Sequence, residues 1–227
     1  MTMRLNSFVL PDDIIQKMKD SLGRTHKIGL EHGFVLCSRN TPDGDILTDN
    51  SHCAGTECEI TLKPTCKDKH ETFVGSYHTH PDDTSLISEI DMKGSCYRKI
   101  DCIGGEKDNR ISCFVTKKHI DKDMCKMQAD ISHRTNISVN NESDKIDKEK
   151  EMLLKIIDNY NSKVTTSKGY SRKLEIAEKS LKRLKDELNA RIKKNNNNIE
   201  EYWRFRNEIT NKYYNIYDVN YSHLKES

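Results

Sequence analysis

The stretch Gly75–Asp91, "GSYHTHPDDTSLISEID", combines the residues that decide both the fold and the chemistry. Side chains two residues apart on a β-strand point to the same face, so His78 and His80 can direct two imidazoles at one point. The proline that follows ends the predicted strand and places the pair at the rim of a sheet. Ser88 and Asp91 lie three residues apart on a predicted helix and therefore share a face that can look back at the histidines.

Two His and one Asp, with a fourth position left for water, are the ligands of a catalytic zinc site rather than of a closed structural one. Zinc lowers the pKa of bound water toward about 7, so hydroxide becomes available at neutral pH. A base must still accept the proton, and Glu31, at the start of the apolar strand "EHGFVLCS", is the best candidate. Asp45, Glu57 and Glu59 are weaker alternatives, because they lie near turns or in less apolar strands. The alternative interpretation of the whole stretch is a polar strand that runs into an ordinary helix.

The segment "HTHPDDTSLISEID", with Glu31 upstream, closely resembles the JAMM (MPN-plus) metalloprotease motif, E…H-x-H-P-x6-S-x-x-D, and fills every signature position. The resemblance implies that His78, His80 and Asp91 bind one zinc ion per chain. It also implies that Glu31 acts as general base and then acid, and that Ser88 helps to stabilise the oxyanion.

The resemblance covers roughly residues 10–130 and implies the fold of that family, a mixed, curved α/β sheet flanked by helices that is similar to cytidine deaminases. There is one departure from the family pattern. Members often carry Gly three residues after the glutamate, whereas this chain has Phe34 there, preceded by Gly33.

Members of this family cleave isopeptide or peptide bonds at the C-terminal glycine of ubiquitin or ubiquitin-like proteins, and related members process sulfur-carrier proteins. The resemblance therefore implies a zinc metallopeptidase, a deubiquitinase-like isopeptidase with a protein substrate. The alternative is a non-catalytic or partner-activated MPN scaffold subunit of a larger assembly. Such scaffolds usually lack one or more metal ligands, and this chain retains all of them.

The residues around the motif predict strands that alternate with two helices, hence one mixed α/β domain over residues 1–140. The first helix follows Pro11, with Asp12 or Asp13 as N-cap and Gly23 as its end, and the second helix begins at Thr84 or Ser85. Strands are predicted at residues 28–38, 58–65, 71–80, 101–105 and 111–118.

Residues 141–227 have a different composition, with 19 Lys and Arg against 15 Asp and Glu after residue 141 and none of the eight Cys. A 3,4-type apolar repeat predicts a helical hairpin or coiled coil that binds a helical partner or a second copy; it comprises Leu174, Ala177, Leu181, Leu184, Leu188 and Ile192. Residues 145–160 and 199–217 are also predicted as helical, with breaks at 165–169 and 193–198. A chain without residues 142–227 is accordingly expected to fold.

The formal net charge of +2 and the absence of an apolar run of 18 residues predict a soluble, cytoplasmic protein that does not bind membranes. Nucleic-acid binding by the basic tail, which contains "YWRFR", is the less favoured alternative to a solvated helical face. Cysteines in the cytoplasm are mostly thiols, and Cys102 and Cys113 are predicted to be core residues. A second zinc site is disfavoured because the spacing of its residues is loose; the candidates are Cys53, Cys58 and Cys66 with His52 or His70. No cysteine lies in a motif for a nucleophile.

Overall fold

The computed structural model describes residues 2–56, 60–118, 120–164 and 171–219. It divides into two compact units, of which the first contains the residues up to Asp130 and again those from Ile209 onward. The second unit is Ile131–Glu208. This division differs from the one predicted from composition, which placed everything after residue 140 in a single helical region.

The first unit is built on one mixed sheet of eight strands, so the predicted mixed α/β class is confirmed. The strands are β1 (Met3–Leu5), β2 (Phe8–Leu10), β3 (His32–Thr41), β4 (Gly44–Ala54), β5 (Thr72–His80), β6 (Ile100–Gly105), β7 (Arg110–Thr116) and β8 (Tyr214–Asp218). Their order in the sheet is β1-β2-β4-β3-β5-β6-β7-β8. The helices are α1 (Asp12–Ile28), α2 (Glu89–Ser95), α3 (Lys122–Val164) and α4 (Ser171–Tyr213).

Strand β5 lies inside the sheet, antiparallel to β3 and parallel to β6. Parallel neighbours need a crossover connection, and the segment that carries α2 provides it. The side chains of β5 from Val74 to His80 are all buried. A strand with neighbours on both sides is rigid, which suits a strand that has to hold functional side chains in place.

The apolar core lies between α1 and the sheet. Ile14, Met18 and Leu22 are fully or almost fully buried along one side of α1, at the spacing of a helical face. The hydroxyl of Tyr77 on β5 donates a hydrogen bond of 2.6 Å to the carbonyl oxygen of Met18. Because neighbouring residues of a strand point to opposite faces, α1 covers the face of the sheet away from His78.

Several predicted boundaries are wrong. Helix α1 continues through Gly23 and ends at Ile28, and the positive φ of 65° at Gly29 fits a glycine C-cap. Its N-cap is Pro11 rather than an aspartate. Residues 60–65 are not a strand; β4 occupies an earlier segment, and the short strands β1 and β2 precede α1.

The segment Tyr214–Asp218, predicted as helix, is a strand that pairs antiparallel with β7. The aromatic ring of Tyr214 is buried, and its hydroxyl lies 2.9 Å from the Oγ of Ser95 at the end of α2. Burial raises the pKa of Tyr214 to about 12, so it stays neutral. Strand β8 therefore supports the helix that carries Asp91.

In the second unit, the parts of α3 and α4 between Ile131 and Glu208 pair antiparallel. Arg191 forms ion pairs with Glu142 and Glu149, and Asn195 donates a hydrogen bond of 2.8 Å to Ser143. Buried side chains follow the seam, and they are Val139, Ile146, Leu188 and Tyr202.

The predicted break at residues 193–198 is absent, because α4 continues through the asparagines. Leu188 of the predicted repeat is buried, whereas Leu184 is 47% exposed. The side chain of Leu174 and the predicted break at residues 165–169 lie outside the described residues.

Six cysteines form three disulfides, so the prediction of thiols is wrong for them. The pairs are Cys37–Cys66, Cys96–Cys125 and Cys102–Cys113. Cys53 is free, and Cys58 lies outside the described residues. Cys66 is therefore not available for a second zinc site. Within the described parts of the chain, none of the helices is long and apolar enough to span a bilayer.

Candidate metal centre

The two histidines meet at the end of β5. The Nε2 atoms of His78 and His80 lie 3.1 Å apart, and the residues are only 5% and 8% exposed. The Nδ1 of His80 lies 3.3 Å from the carbonyl oxygen of Thr84. Because a carbonyl only accepts, Nδ1 carries the proton, and the lone pair of Nε2 is left for a ligand.

Asp91 completes the cluster from α2. Its Oδ1 lies 3.1 Å from Nε2 of His78, and its Oδ2 lies 3.1 Å from Nε2 of His80. Three ligand atoms, one from each residue, all lie within 4.8 Å of one another. Ligands bound tetrahedrally to zinc at about 2.0–2.2 Å are separated by about 3.3 Å, so the donor types and their spacing fit zinc.

Ser88 is the N-cap of α2, and it holds the side chain of Asp91 in position. Its Oγ accepts a hydrogen bond of 3.1 Å from the backbone N–H of Asp91, and the Asp91 Oδ2 accepts one of 3.1 Å from the N–H of Ser88. This capping box replaces the cap predicted at Thr84 or Ser85. The hydroxyl of Ser88 also donates to Oδ2 of Asp91 at 2.5 Å. In this arrangement Ser88 orients the ligand carboxylate.

The histidines and Asp91 shift one another's pKa values. Burial alone would lower the pKa of His78, but the adjacent carboxylate of Asp91 raises it to about 9. Burial likewise opposes the charge of Asp91, yet the two imidazoles hold the pKa of that carboxyl well below its usual range. Without metal, His78 is therefore expected to be protonated at neutral pH, beside the carboxylate of Asp91.

Glu31 lies immediately before β3 and is 7% exposed. Its backbone is fixed by two hydrogen bonds, from its N–H to Thr56 and from the N–H of Gly55 to its carbonyl, each of 2.8 Å. Two residues later, Gly33 is the register partner of His78 on β5. The antiparallel pairing thus brings Glu31 beside the histidines.

Gly33 is required by the close approach of β3 and β5. A Cβ atom at this position would lie 2.4 Å from the carbonyl oxygen of Tyr77. The pairing of β3 with β4 shifts register between Gly33 and Val35. Phe34 lies within this irregularity and stacks on His52, with ring centroids 4.7 Å apart. The departure from the family pattern at Phe34 thus coincides with an irregular strand.

A cavity of about 440 Å³ contains all five predicted site residues. Glu31, His78, His80, Ser88 and Asp91 line it together with the apolar side chains of Ile60, Leu62 and Ile90. Asp45, an alternative base, does not line the cavity and instead accepts a hydrogen bond from Asn40. Glu57 and Glu59 lie outside the described residues.

Three polar residues beside the cluster were not predicted. Arg98 and Ser76 line the cavity, and both bond to Asp101, which is fully buried on β6. Ser76 could have been found by extending the alternation of β5 back from His78. Arg98 and Asp101 are only three residues apart, but their meeting with Ser76 had no sequence signal, because it depends on the crossover between β5 and β6.

Comparisons with known proteins give no family for this chain: neither a protein-family model nor a curated protein sequence matches it.

Proposed function

We propose that this chain is a zinc-dependent peptidase or isopeptidase that hydrolyses an amide bond at the C-terminus of a ubiquitin-like or sulfur-carrier-type protein. The observation that supports it most is the convergence of His78, His80 and Asp91 in one cavity with Glu31. The resemblance of the sequence to the JAMM motif and its associated fold supplies the reaction class.

The site residues divide the chemistry between them. When bound, zinc supplies a Lewis acid that lowers the pKa of water and polarises the amide carbonyl. Glu31, buried beside the histidines, takes a proton from water and passes it to the departing nitrogen. The side chains of Ile60, Leu62 and Ile90 line the same cavity and offer apolar surface to a substrate.

Ser88 has two roles in this proposal. Its hydroxyl holds the carboxylate of Asp91, as described above. The same residue lines the cavity, so its single O–H could turn from Oδ2 of Asp91 to donate to an oxygen that gains negative charge during hydrolysis.

Partner binding through the second unit is a further part of the proposal. Met152, Leu154 and Ile176 in this unit are large apolar side chains that are each at least 60% exposed, so they are available to a partner. These residues favour a helical partner or self-association, and they keep the partner-activated scaffold as the alternative function.

The cytoplasmic localisation predicted from the sequence stays a prediction. The three disulfides argue against this localisation, because disulfides are rare in intracellular proteins apart from those of hyperthermophiles.

The test is the zinc content of the purified protein, measured by elemental analysis. We expect one zinc per chain, lost in Asp91→Ala and kept in Glu31→Gln. Asp83→Ala is the matched control, since Asp83 lines the same cavity but is not one of the converging ligands. No zinc after loading would overturn the proposal.

Hydrolysis is measured on a panel of ubiquitin-like and sulfur-carrier proteins that carry a C-terminal amide-linked extension. We expect the wild type to cleave at least one of them and Glu31→Gln to lose turnover by several orders of magnitude. A zinc-loaded wild type that cleaves none of them would favour the scaffold.

A further inference from the structure

Arg98 lines the cavity that contains the candidate metal ligands, and two hydrogen bonds fix its guanidinium. Nη1 of Arg98 donates hydrogen bonds of 3.0 Å to Oγ of Ser76 and of 3.0 Å to Oδ1 of Asp101. Ser76 in turn donates to the same Oδ1 at 2.6 Å. Since Ser76 and His78 are two residues apart on β5, this network lies on the face of the sheet that carries the metal ligands.

The pairing with Asp101 does not explain why Arg98 is there. Asp101 is fully buried, and burying an ion pair usually stabilises a fold no better than apolar side chains of the same volume do. Its carboxylate does fix the direction of the guanidinium, however. A fixed guanidinium with part of its surface in a cavity is suited to binding a ligand.

Arg98 has hydrogen-bonding capacity left. Both of its hydrogen bonds use Nη1, and the structure gives Nε and Nη2 no partner among the described residues. The side chain is 34% exposed and lines the cavity. These two nitrogens form one edge of the guanidinium plane, the geometry that binds both oxygens of a carboxylate.

The charges along the cavity favour a carboxylate at this end. Asp83 is exposed and lies beyond His80, whereas Arg98 bonds to Ser76, four residues earlier on β5. At about 3.3 Å per residue, Ser76 and His80 are about 13 Å apart along β5, so the basic group lies at the Ser76 end of this strand. From Ser76 to His78 is about 7 Å, the length of two extended substrate residues.

We propose that Arg98, held by Asp101 and Ser76, is a specificity-determining residue that binds a substrate carboxylate about two residues from the bond that is cleaved. As a statement about substrate choice it rests on the proposed function. The carboxylate is either the end of the substrate chain or an Asp or Glu side chain.

The test measures binding of three peptides by isothermal titration calorimetry to zinc-loaded Glu31→Gln, which cannot turn them over. The peptides are acetyl-Gly-Gly with a free carboxylate, its amide, and acetyl-Gly-Glu amide. We expect at least one of the acidic peptides to bind on the order of tenfold more tightly than the neutral amide. The acidic peptide that binds more tightly identifies the source of the carboxylate.

Variants assign the preference to Arg98. Arg98→Gln should abolish it, and Arg98→Lys should lose most of it, because an ammonium lacks the planar fork. Lys99→Gln removes the same charge from an exposed neighbour and should keep it. Arg98→Gln/Asp101→Asn removes both charges of the buried pair and covers the case in which Arg98→Gln alone does not fold. A preference that survives in a folded Arg98 variant overturns the proposal.

The same titrations on metal-free protein separate this inference from the proposed function. If the chain holds no zinc but prefers the acidic peptides through Arg98, the binding site stands and the peptidase does not. If the chain binds zinc and cleaves an amide but binds acidic and neutral peptides equally, the peptidase stands and the role of Arg98 is overturned.

Discussion

Ser88 links the formation of α2 to the orientation of Asp91, a candidate metal ligand. Replacing it with alanine removes the acceptor for the N–H of Asp91 and the donor to Oδ2 of Asp91. We expect Ser88→Ala to lower the free energy of unfolding by about 1 kcal/mol, as for loss of an N-cap. Zinc affinity should fall on the order of tenfold, because the ligand loses its support.

Ser88→Thr is the matched control, since it keeps the hydroxyl. Urea denaturation and competition with a chromophoric chelator measure the two effects. Equal zinc affinity in Ser88→Ala and Ser88→Thr would show that Ser88 does not orient Asp91.

The pair of His78 and Asp91 makes the stability of the metal-free protein depend on pH. The pKa of His78 is raised from 6.5 to about 9, so protonated His78 stabilises the folded chain. This contribution is fully present below about pH 6.5 and is lost as the pH rises through about 9. The pKa of Asp91 is lowered, so its contribution is present above about pH 4 and is lost only in acid.

We therefore expect metal-free protein to be less stable to urea at pH 10 than at pH 7. In His78→Gln the loss between these pH values should be smaller, because the variant lacks the titrating group. If both proteins lost the same free energy of unfolding, other groups would account for the dependence.

The sequence predicted which residues of the site come together when they lie on one strand or one helix. Alternation along a strand was enough to bring His78 and His80 together, and helical spacing was enough to place Ser88 near Asp91. Arg98 also contacts Ser76 on β5, 22 residues earlier, and spacing along one element carries no information about such a contact.

At the scale of elements, α2 is held at both ends. Its first turn is capped by Ser88, and Cys96, which directly follows its last residue, is joined to Cys125 on α3. A link between residues 29 apart restricts the unfolded chain, and the chain-entropy estimate for a loop of that length is about 3–4 kcal/mol. The disulfide thus stabilises the fold and fixes the helix that carries Asp91.

We expect Cys96→Ala/Cys125→Ala to lower both the free energy of unfolding and the affinity for zinc. Cys102→Ala/Cys113→Ala is the matched control, because it removes a disulfide between β6 and β7, which remain paired by their backbones. The control should lose stability but keep its zinc affinity. Variants are preferable to a reducing agent here, since thiols bind zinc. Unchanged zinc affinity in the first variant would separate the disulfide from the site.

Elements were predicted well where periodicity was strong and poorly where it was not. Strands β5, β6 and β7 were found from their apolar runs, and the helical character of α1 from its 3,4 spacing. The polar strand β4 was missed, and the asparagines at 195–198 did not break α4, because the backbone of a long helix tolerates residues of modest propensity. The disulfides had no local signal, since each depends on how distant elements pack.

At the scale of the whole molecule, the first unit is discontinuous in sequence. Strand β8 comes after the helical unit yet completes the sheet beside β7. A chain that lacks residues 142–227 would lose β8 and the hydroxyl of Tyr214 that contacts Ser95. The structure thus argues against the expectation that this truncation folds.

Two shortened variants test whether the first unit needs β8 to fold. A chain that ends at Glu208 should aggregate or fail to bind zinc. A chain in which Ile131–Glu208 is replaced by a flexible linker of about 15 Gly and Ser residues keeps β8 and should fold and bind one zinc. Zinc binding by the chain that ends at Glu208 would show that β8 is dispensable.

Strand β8 is also the last element of the first unit to be synthesised. Translation delivers seven strands first, then the whole of Ile131–Glu208, and only then β8. At about 5–20 residues per second, the ribosome takes seconds to make the intervening helices. Throughout that interval β7 presents an unpaired edge, a surface that invites aggregation and chaperone binding. We expect the helical unit to fold on the ribosome before the first unit is complete.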